Sequence, residues 1–245
     1  MKNLFIPISL GLLFTSFTII PSDPTASYKA AVATSPVITD SSFGTFFSAA
    51  SAVYNKINLQ VYGLSADVFN YAWKGYQKLL EKKMISRSNY LTICDFSQSS
   101  GQKRLYIIDV IQNKLITNSY VAHGRNSGAG YATRFSNKPE SLQSSLGFYI
   151  TQGTYQGAHG LSLRISGVDT GYNDKAMARN IVIHGAAYVN EARAKQGVFM
   201  GRSFGCPAVP QKESAKIIST IKNGTCLFIY HPTRNYLLRS KILNG

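Results

Sequence analysis

The sequence predicts a mainly β fold of the α+β class with a helical N-terminal extension. The chain contains fifteen tyrosines and thirteen phenylalanines, and aromatic residues are enriched in strands. Short apolar runs bounded by turn residues recur from Tyr90 onward, as expected for strands. Before Lys83, in contrast, the apolar residues recur at helical spacing.

The N-terminus is typical of an export signal. Met1-Lys2-Asn3 gives a short positive start, and residues 4–20 are almost wholly apolar or small. Cleavage is predicted after Ala31-Val32-Ala33, and Pro24-Thr25-Ala26 is the competing site. An uncleaved membrane anchor is the disfavoured alternative, because a proline and a serine interrupt a run of marginal length. We therefore predict a signal peptide over residues 1–33 and an exported protein without a stable membrane span after processing.

Residues 34–88 are assigned to a linker and the helical extension. Residues 22–42 are rich in Ser, Thr, Pro and Ala, a composition that suits a linker. A helical stretch follows over about 43–83, and Ser65 is the predicted N-cap of its second half. The apolar positions that recur at helical spacing are Val68, Phe69, Ala72, Tyr76, Leu79 and Leu80.

The remaining residues, 89–245, are assigned to one mainly β domain. Residues 211–222 are predicted to form an amphipathic helix, with Gly224 just past its end. Gln112-Asn113 is a tight connection between two strands. The predicted strands cover residues 91–96, 104–110, 114–122, 147–154, 160–167, 180–184 and 225–230.

The formal net charge is +15, which favours an anionic partner. Nucleic acid is a poor candidate for an exported protein, and the chain carries no nucleic-acid motif. An anionic cell-wall polymer or an anionic membrane surface fits better, and we expect a periplasmic or cell-wall associated protein. The alternative is that the charge only aids solubility.

The three cysteines occupy two kinds of sequence context. Cys94 and Cys226 lie in apolar runs, where a free cysteine behaves as a small buried hydrophobe. We expect two buried thiols there, and a Cys94–Cys226 disulfide is the alternative in an oxidising compartment. Cys206 instead lies in a loop, directly after a glycine.

Cys206 and His184 are the candidate nucleophile and base. Cys206 lies in Arg202-Ser203-Phe204-Gly205-Cys206-Pro207-Ala208, and His184 ends an apolar run 22 residues upstream. A cysteine with a histidine partner can act as a thiolate nucleophile. The backbone N–H groups of Gly205 and Cys206 are candidate oxyanion donors, and Arg202 adds positive potential. The alternative is a buried structural cysteine and an unrelated histidine.

Ile183-His184-Gly185, followed by Ser203-Phe204-Gly205-Cys206, resembles the signature of L,D-transpeptidases with the YkuD-type catalytic domain. That signature reads His-Gly, a spacer, then Ser/Thr-His-Gly-Cys. A divergent murein L,D-transpeptidase branch is closer still, because its second motif reads Gly-Arg-Ser-aromatic-Gly-Cys-Pro-Ala. The resemblance covers roughly residues 91–230. Further similar segments are 123–128, 135–137, 144–147 and 184–189.

The resemblance implies a β-sandwich or barrel and a cysteine acyltransferase. In such enzymes the cysteine attacks a diamino-acid carbonyl in a peptidoglycan stem peptide, expels D-alanine and forms a thioester. An amine acceptor then gives a 3→3 cross-link or a protein attachment, whereas water gives a carboxypeptidase reaction. The implied roles are nucleophile for Cys206, base and acid for His184, oxyanion donor for Gly205, and loop shaping for Ser203. The resemblance implies no metal and no cofactor.

The chain departs from the family pattern at two places. Phe204 stands where the family has histidine, and Pro207-Ala208 follows the cysteine where many members have a polar residue or arginine. Arginine binds carboxylates in a bidentate manner, so other arginines are candidates for that role. The candidate substrate-binding residues are Arg202, Arg125, Arg134, His159 and Tyr188.

His123 and His159 each precede a glycine. We interpret both as loop histidines bonded to backbone, and His159 has the alternative role of a substrate contact or an orienter of His184. A zinc site built from His123, His159 and Cys206 lacks the close ligand spacing of zinc motifs, so no metal site is predicted.

Three functions are compatible with the sequence. The first is an exported cysteine transpeptidase acting on peptidoglycan. The second is an L,D-carboxypeptidase or another cysteine amidase with the same residues. The third is a catalytically silent wall-binding module, an alternative kept open by Phe204 and Pro207.

Overall fold

The structure is a computed structural model that describes residues 41–245, with side chains from residue 49 onward. The predicted signal peptide and most of the predicted linker lie outside the described residues. Within residues 41–245, none of the helices combines the length and apolar character that crossing a bilayer requires.

Eight strands form one mixed sheet. Their order across the sheet is β3-β2-β1-β8-β4-β5-β6-β7, and the β1–β8 and β6–β7 pairs are parallel. The strands are β1 (Tyr90–Asp95), β2 (Leu105–Asp109), β3 (Lys114–Ser119), β4 (Gly147–Gly157), β5 (Gly160–Gly167), β6 (Val182–Ala186), β7 (Ala208–Pro210) and β8 (Cys226–Tyr230).

The two edges of the sheet approach each other. Ala122, just beyond β3, forms an antiparallel bridge with Ala208 of β7. Ser119 at the end of β3 also donates a hydrogen bond to the Glu213 carboxylate, 2.6 Å away. The sheet therefore curves nearly into a barrel, and the predicted mainly β, α+β fold is confirmed.

Helices cover the sheet on its outer sides and add a C-terminal pair. Ser65 caps α2 as predicted, because its Oγ accepts a hydrogen bond from the Val68 N–H at 3.3 Å. The helices are α1 (Ser41–Ile57), a 3₁₀ turn (Leu59–Tyr62), α2 (Ala66–Glu81), α3 (Glu191–Lys195), α4 (Gln211–Ile221), α5 (Arg234–Arg239) and α6 (Lys241–Asn244).

The helical extension shares its core with the sheet. Gly75 of α2 lies flat against the Phe148 ring, where an added Cβ would be only 2.0 Å from the ring. Phe148 in turn stacks on Phe228 of β8, with the ring centroids 4.1 Å apart. Apolar side chains of α2 and the central strands form one buried cluster. The boundary at residue 88 stays a prediction, but the packing across it is continuous.

The two core cysteines are free thiols, as the sequence analysis expected. In the parallel β1–β8 pair, Leu91 lies opposite Cys226 and Cys94 lies opposite Ile229. Three residues along a strand separate the two cysteines by roughly 10 Å. A disulfide needs Cα atoms within about 7 Å of each other, so this register excludes the pair.

Several short elements were not predicted. β7 has three residues and α3 has five, and neither length gives a readable periodicity. The C-terminal helices α5 and α6 were also missed. The strand predicted from residue 180 begins at Val182, because Asn180 has a φ of 54° and cannot extend the strand.

Candidate active site

The candidate nucleophile lies in the cysteine loop, which we define as residues 201–207, directly before β7. Gly205 has a φ of 119°, and a Cβ there would lie 2.8 Å from the Gln143 carbonyl oxygen. Both facts favour glycine at this position. Ser203 Oγ donates to the Cys206 carbonyl oxygen at 2.6 Å and accepts from the Gly205 N–H at 3.2 Å. Ser203 therefore stabilises, from within the loop, the conformation that carries Cys206.

The Cys206 sulfur lies against the start of β6. Its Sγ accepts a hydrogen bond from the Val182 N–H at 3.5 Å and donates to the Asn180 carbonyl oxygen at 3.7 Å. Burial raises the pKa of the Cys206 thiol above its ordinary 9.0, although the Val182 N–H, the Arg179 guanidinium and its own N–H oppose this. The sulfur is therefore a neutral thiol at pH 7 and needs a base to become a nucleophile.

His184 is buried in β6 and has the properties of such a base. Its Nδ1 lies 2.9 Å from the Gly185 carbonyl oxygen, which can only accept, so Nδ1 carries the hydrogen. Nε2 of the neutral ring then has a free lone pair. Burial lowers the pKa of His184 below its ordinary 6.5; the bond to Gly185 opposes this, and His159 lowers the pKa further. The ring is neutral at pH 7 and can accept a proton.

The register of β6 and β7 places the cysteine loop next to the strand that carries His184. His184 lies opposite Ala208 in this parallel pair, and Cys206 precedes Ala208 by two residues while its sulfur contacts Val182. In the described part of the chain, no hydrogen bond joins Sγ to His184. Catalytic hydrogen bonds of this kind often form only when a substrate is bound.

The two predicted oxyanion donors, the N–H groups of Gly205 and Cys206, face different partners in the structure. The Gly205 N–H already donates to Ser203 Oγ, so it must exchange this partner before it can bind an oxyanion. The Cys206 N–H lies near its own sulfur and helps to lower the pKa of the thiol. The Phe204–Gly205 peptide, which carries the Gly205 N–H, therefore has to reorient before a tetrahedral intermediate can use both groups.

His159 lies on the candidate base, whereas His123 does not. His159 is exposed in the turn between β4 and β5, and its ring stacks on His184 with centroids 4.4 Å apart. His123 is fully buried, with Nδ1 2.8 Å from the Arg104 guanidinium and Nε2 3.2 Å from the Gly128 carbonyl oxygen. Burial and Arg104 lower the pKa of His123 to about 4. His123 is thus a neutral structural residue beneath the cysteine loop.

Two pairs of arginine and aromatic residues flank the thiol. The guanidinium carbon of Arg202 lies 6.0 Å from the Tyr188 ring centroid. That of Arg125 lies 5.8 Å from the ring of Phe204, a side chain that is 66% exposed. Burial raises the pKa of Tyr188 to about 12, and the nearby Cys206 adds to this effect while Arg202 opposes it. Both arginines therefore have exposed positions beside the candidate nucleophile.

Arg134 is the predicted site residue that the structure does not bring to the thiol. It is exposed, and its backbone N–H donates to the Ser127 carbonyl oxygen. Within the described residues, no side-chain hydrogen bond, ion pair or cation–π contact links Arg134 to Cys206, His184 or their neighbours. The structure places the other predicted residues in two neighbouring groups. On or beside the cysteine loop lie Cys206, Gly205, Ser203, Arg202, Arg125 and Tyr188, and His184 of β6 stacks with His159.

Sequence reasoning missed Arg179 and the cavity that it lines. The cavity has a volume of about 350 Å³ and lies beside the cysteine loop. Arg179 directly precedes Asn180, whose carbonyl accepts the thiol hydrogen bond. An arginine just before the strand that carries His184 was the available signal. The lining residues are Pro139, Glu140, Leu142, Ala178, Arg179, Asn180 and Phe204.

A family model described as L,D-transpeptidase catalytic domain matches residues 60–230. Among solved structures, an L,D-transpeptidase from Mycobacterium smegmatis is similar with 10% identity over 58% of this chain and 59% of that chain, at a TM-score of 0.36. The helical cell shape determining protein Pgp2 from Campylobacter jejuni is similar with 15% identity over 64% and 56% of the chains, at a TM-score of 0.34. A comparison with curated proteins found no match.

The matched stretch spans less than two thirds of the length of either structure. These similarities are low, and the assignment to a family therefore rests on the family model. That model covers well over half of the chain, begins within the helical extension, and includes both Cys206 and His184. The resemblance drawn from the sequence is confirmed at this level: the chain belongs to the family of L,D-transpeptidase catalytic domains.

Proposed function

We propose that the protein is an exported cysteine transpeptidase that acts on peptidoglycan stem peptides through a thioester acyl-enzyme. One observation carries the proposal. Cys206 lies in the loop that leads into β7, two residues before the Ala208 that pairs with His184 of β6, and both residues lie inside the region that matches the family model. A cysteine and a histidine on neighbouring segments are the minimum that acyl transfer by cysteine requires.

Acylation begins with proton transfer from Cys206 Sγ to His184 Nε2. The resulting thiolate attacks the carbonyl carbon of the diamino-acid residue, and the oxyanion is stabilised by the N–H groups of the cysteine loop. The tetrahedral intermediate then collapses, and its C–N bond breaks. The His184 imidazolium returns the proton to the departing D-alanine amine, which leaves a thioester on Cys206.

Deacylation reverses these roles with a second amine. The acceptor amine attacks the thioester carbonyl, His184 takes the proton that the amine loses, and the C–S bond breaks to release Cys206. A diamino-acid amine gives a 3→3 cross-link, a protein amine gives an attachment to the wall, and water gives a shortened stem. Neutral His184 suits this step, because a charged imidazolium cannot accept the proton.

The surroundings of the thiol suit an anionic peptide. Arg202 and Arg125 are exposed beside Cys206 and are proposed to bind substrate carboxylates, which guanidinium groups match in geometry. The cavity of about 350 Å³ is large enough for a residue of the stem peptide. The net charge of +15 favours association with anionic wall polymer, and the apolar N-terminus supports export to the periplasm or the cell wall.

Purified muropeptides test this proposal. The mature protein, Cys206→Ala and the control Cys94→Ala are each incubated with tetrapeptide-containing muropeptides, and the products are identified by mass spectrometry. We expect dimers joined through two diamino acids with the wild type and with Cys94→Ala, and none with Cys206→Ala. A mass increase at Cys206 after incubation with a carbapenem would independently report the acyl-enzyme.

The other functions give different products. Shortened monomers without dimers would identify a carboxypeptidase that uses the same thioester. Untouched substrate with wild type and Cys206→Ala alike, together with binding to isolated cell walls, would replace the proposal with a silent wall-binding module.

A further inference from the structure

Arg179 lies just before β6 and binds one particular loop. Its half-buried guanidinium makes four hydrogen bonds to the loop of residues 136–145, which we call the 136–145 loop. Nη1 donates to the Ser136 carbonyl at 2.7 Å and to the Ser145 hydroxyl. Nη2 donates to the Gln143 carbonyl at 2.7 Å and to the Ser141 hydroxyl at 3.1 Å. One side chain therefore holds this loop at four points.

The 136–145 loop in turn holds the residue before the nucleophile. Ser144 Oγ donates to the Gly205 carbonyl at 3.0 Å, and it also accepts from the Gly124 N–H at 3.0 Å. The Gln143 carbonyl, which Arg179 binds, lies 2.8 Å from the position of a Cβ on Gly205. The Gly205 carbonyl belongs to the peptide that ends in the Cys206 N–H, so its orientation also sets that of the proposed oxyanion donor.

Arg179 also contributes an uncompensated charge. All four of its acceptors are neutral oxygens, and the ion pairs within the described residues join Lys78 to Glu81 and Lys195 to Glu191 only. The Nη2 atom lies 3.3 Å from the position of a Cβ on Gly205, next to Cys206 in the chain. A positive charge at this place, partly shielded from water, favours a thiolate over a thiol. The interaction with Cys206 also acts on Arg179 itself, because it raises a guanidinium pKa that burial lowers.

We propose that Arg179 is a positioning residue for Cys206, which holds the 136–145 loop against Gly205 and stabilises the thiolate with a fixed charge. This inference rests on the proposed role of Cys206 as nucleophile. The other titratable or charged groups near the pair are Tyr188 beside the thiol, Arg202 beyond Tyr188, Tyr149 beside Arg179, and Glu140, which lines the same cavity as Arg179 without forming an ion pair with it. His184 lies on the neighbouring strand β6. Tyr149 and Tyr188 are neutral phenols at pH 7, since burial raises the pKa of both.

The test distinguishes the effect of the Arg179 charge on Cys206 from the effect of its hydrogen bonds. The rate at which iodoacetamide alkylates Cys206 is measured by mass spectrometry from pH 6 to 10 for the wild type, Arg179→Met and Arg179→Lys. Arg179→Met should move the midpoint of this profile upward by about one unit, which makes alkylation at pH 7 roughly tenfold slower. Arg179→Lys should keep the midpoint within a few tenths of a unit, because it keeps the charge.

Turnover of muropeptides should respond to both variants. A lysine cannot make the four bonds of the guanidinium fork, so Arg179→Lys should lose at least tenfold in kcat with an unchanged alkylation profile. Arg87→Met is the matched control, since Arg87 is also half-buried and its Nη1 donates to the Lys222 carbonyl at 2.6 Å, far from Cys206 along the sheet. It should leave the alkylation profile and the turnover unchanged.

Two results would overturn the inference. If folded Arg179→Met has the alkylation profile of the wild type, the Arg179 charge does not stabilise the thiolate. If Arg179→Lys has the kcat of the wild type, the four hydrogen bonds of Arg179 do not position Cys206 for turnover. If Arg179→Met does not fold, Arg179→Lys still tests the charge. Because lysine keeps the positive charge, an upward shift of a full unit in its alkylation profile would show that the charge does not set the pKa of Cys206. Alkylation needs no peptidoglycan, so a wild-type protein that turns over no muropeptide would end the proposed function without deciding the role of Arg179.

Discussion

Cysteines occur in two regions of the molecule that differ in how their backbone is held in place. Cys94 and Cys226 lie in neighbouring strands at the centre of the sheet, where every adjacent position is buried. Burial raises the pKa of Cys94 to about 12 and raises that of Cys226 further. Cys206 also has a raised pKa, but a backbone N–H and a guanidinium oppose the effect of burial.

The difference between the regions lies in how the backbone is held. Around Cys94 and Cys226, regular strand pairing and apolar packing suffice. Around Cys206, the chain uses hydrogen bonds from side chains to loop carbonyls and left-handed residues that bring loops close together. Such residues cost conformational energy and persist only where surrounding contacts enforce them. The left-handed residues near the thiol are Glu140, Leu142, Asn180 and Gly205. The proposed nucleophile thus lies in the irregular region.

The largest expected contrast is in chemical accessibility of the thiols. In the native protein at pH 8, iodoacetamide should label Cys206 alone, because Cys94 and Cys226 react only after the sheet opens. We expect their labelling to be at least about a thousandfold slower. Peptide mass spectrometry after timed labelling measures this, and labelling in concentrated guanidinium chloride, where all three should react, is the control. Comparable native rates at Cys226 would contradict the rigid core.

The second contrast is in catalysis. His184→Gln should reduce kcat by about 10²–10⁴-fold, since the general base is lost while the sheet stays intact. In the wild type, kcat/KM should fall as the pH drops through the His184 pKa, which lies below 6.5, and stay level until the thiol ionises above 9.0. Initial rates across this range test both limbs. A wild-type rate in His184→Gln would remove His184 from the mechanism.

The third prediction concerns acid stability beneath the cysteine loop. His123 has a pKa of about 4 when folded and an ordinary value of 6.5, so the unfolded chain binds more protons between these pH values. Stability should therefore fall with decreasing pH over this window, by up to roughly 3 kcal/mol from this residue. Urea unfolding at pH 7.5 and pH 4.5 measures the loss. His123→Gln, which does not titrate, should show a smaller difference between the two pH values.

The smallest predicted effect is the difference between substituting a glycine with a left-handed φ and substituting one without close neighbours. Gly205→Ala should destabilise the fold by about 1–3 kcal/mol and lower turnover, because a Cβ meets the Gln143 carbonyl at a left-handed φ. Gly153→Ala in β4 is the control, since no atom lies within 4 Å of its added Cβ. Thermal unfolding and initial rates compare the two variants. Equal effects would show that the cysteine loop tolerates movement at Gly205.

The regular region was largely readable from the sequence. Apolar alternation and turn residues gave seven strands within a few residues of their observed ends, and a polar N-cap at Ser65 marked the start of α2. β7 was missed because three residues carry no period, although the motif around Cys206 runs directly into it. The register that excludes a Cys94–Cys226 disulfide is a property of strand pairing and has no local signal.

In the irregular region, the sequence predicted only those site residues that belong to a recognisable motif. The motif identified Cys206 and His184, but nothing in it pointed to Arg179, 27 residues before the cysteine. Its contacts depend on how the 136–145 loop folds back, and no periodicity describes that path. Arg134 shows the converse, because composition alone made it a candidate and the fold leaves it away from the thiol.

The position of β8 in the sheet has a consequence for biogenesis. Among the strands of residues 41–245 it is the last in sequence, yet it lies between β1 and β4 and joins the three strands β1–β3 to the four strands β4–β7. Contacts between residues that are distant in sequence form slowly. Until β8 is in place, β1 and β4 each lack the neighbouring strand that they have in the complete sheet. As the chain is synthesised, the sheet can become continuous only after residues 226–230 have emerged. Residues 201–207 emerge before that point, so the loop that carries Cys206 is available before the sheet beside it is complete.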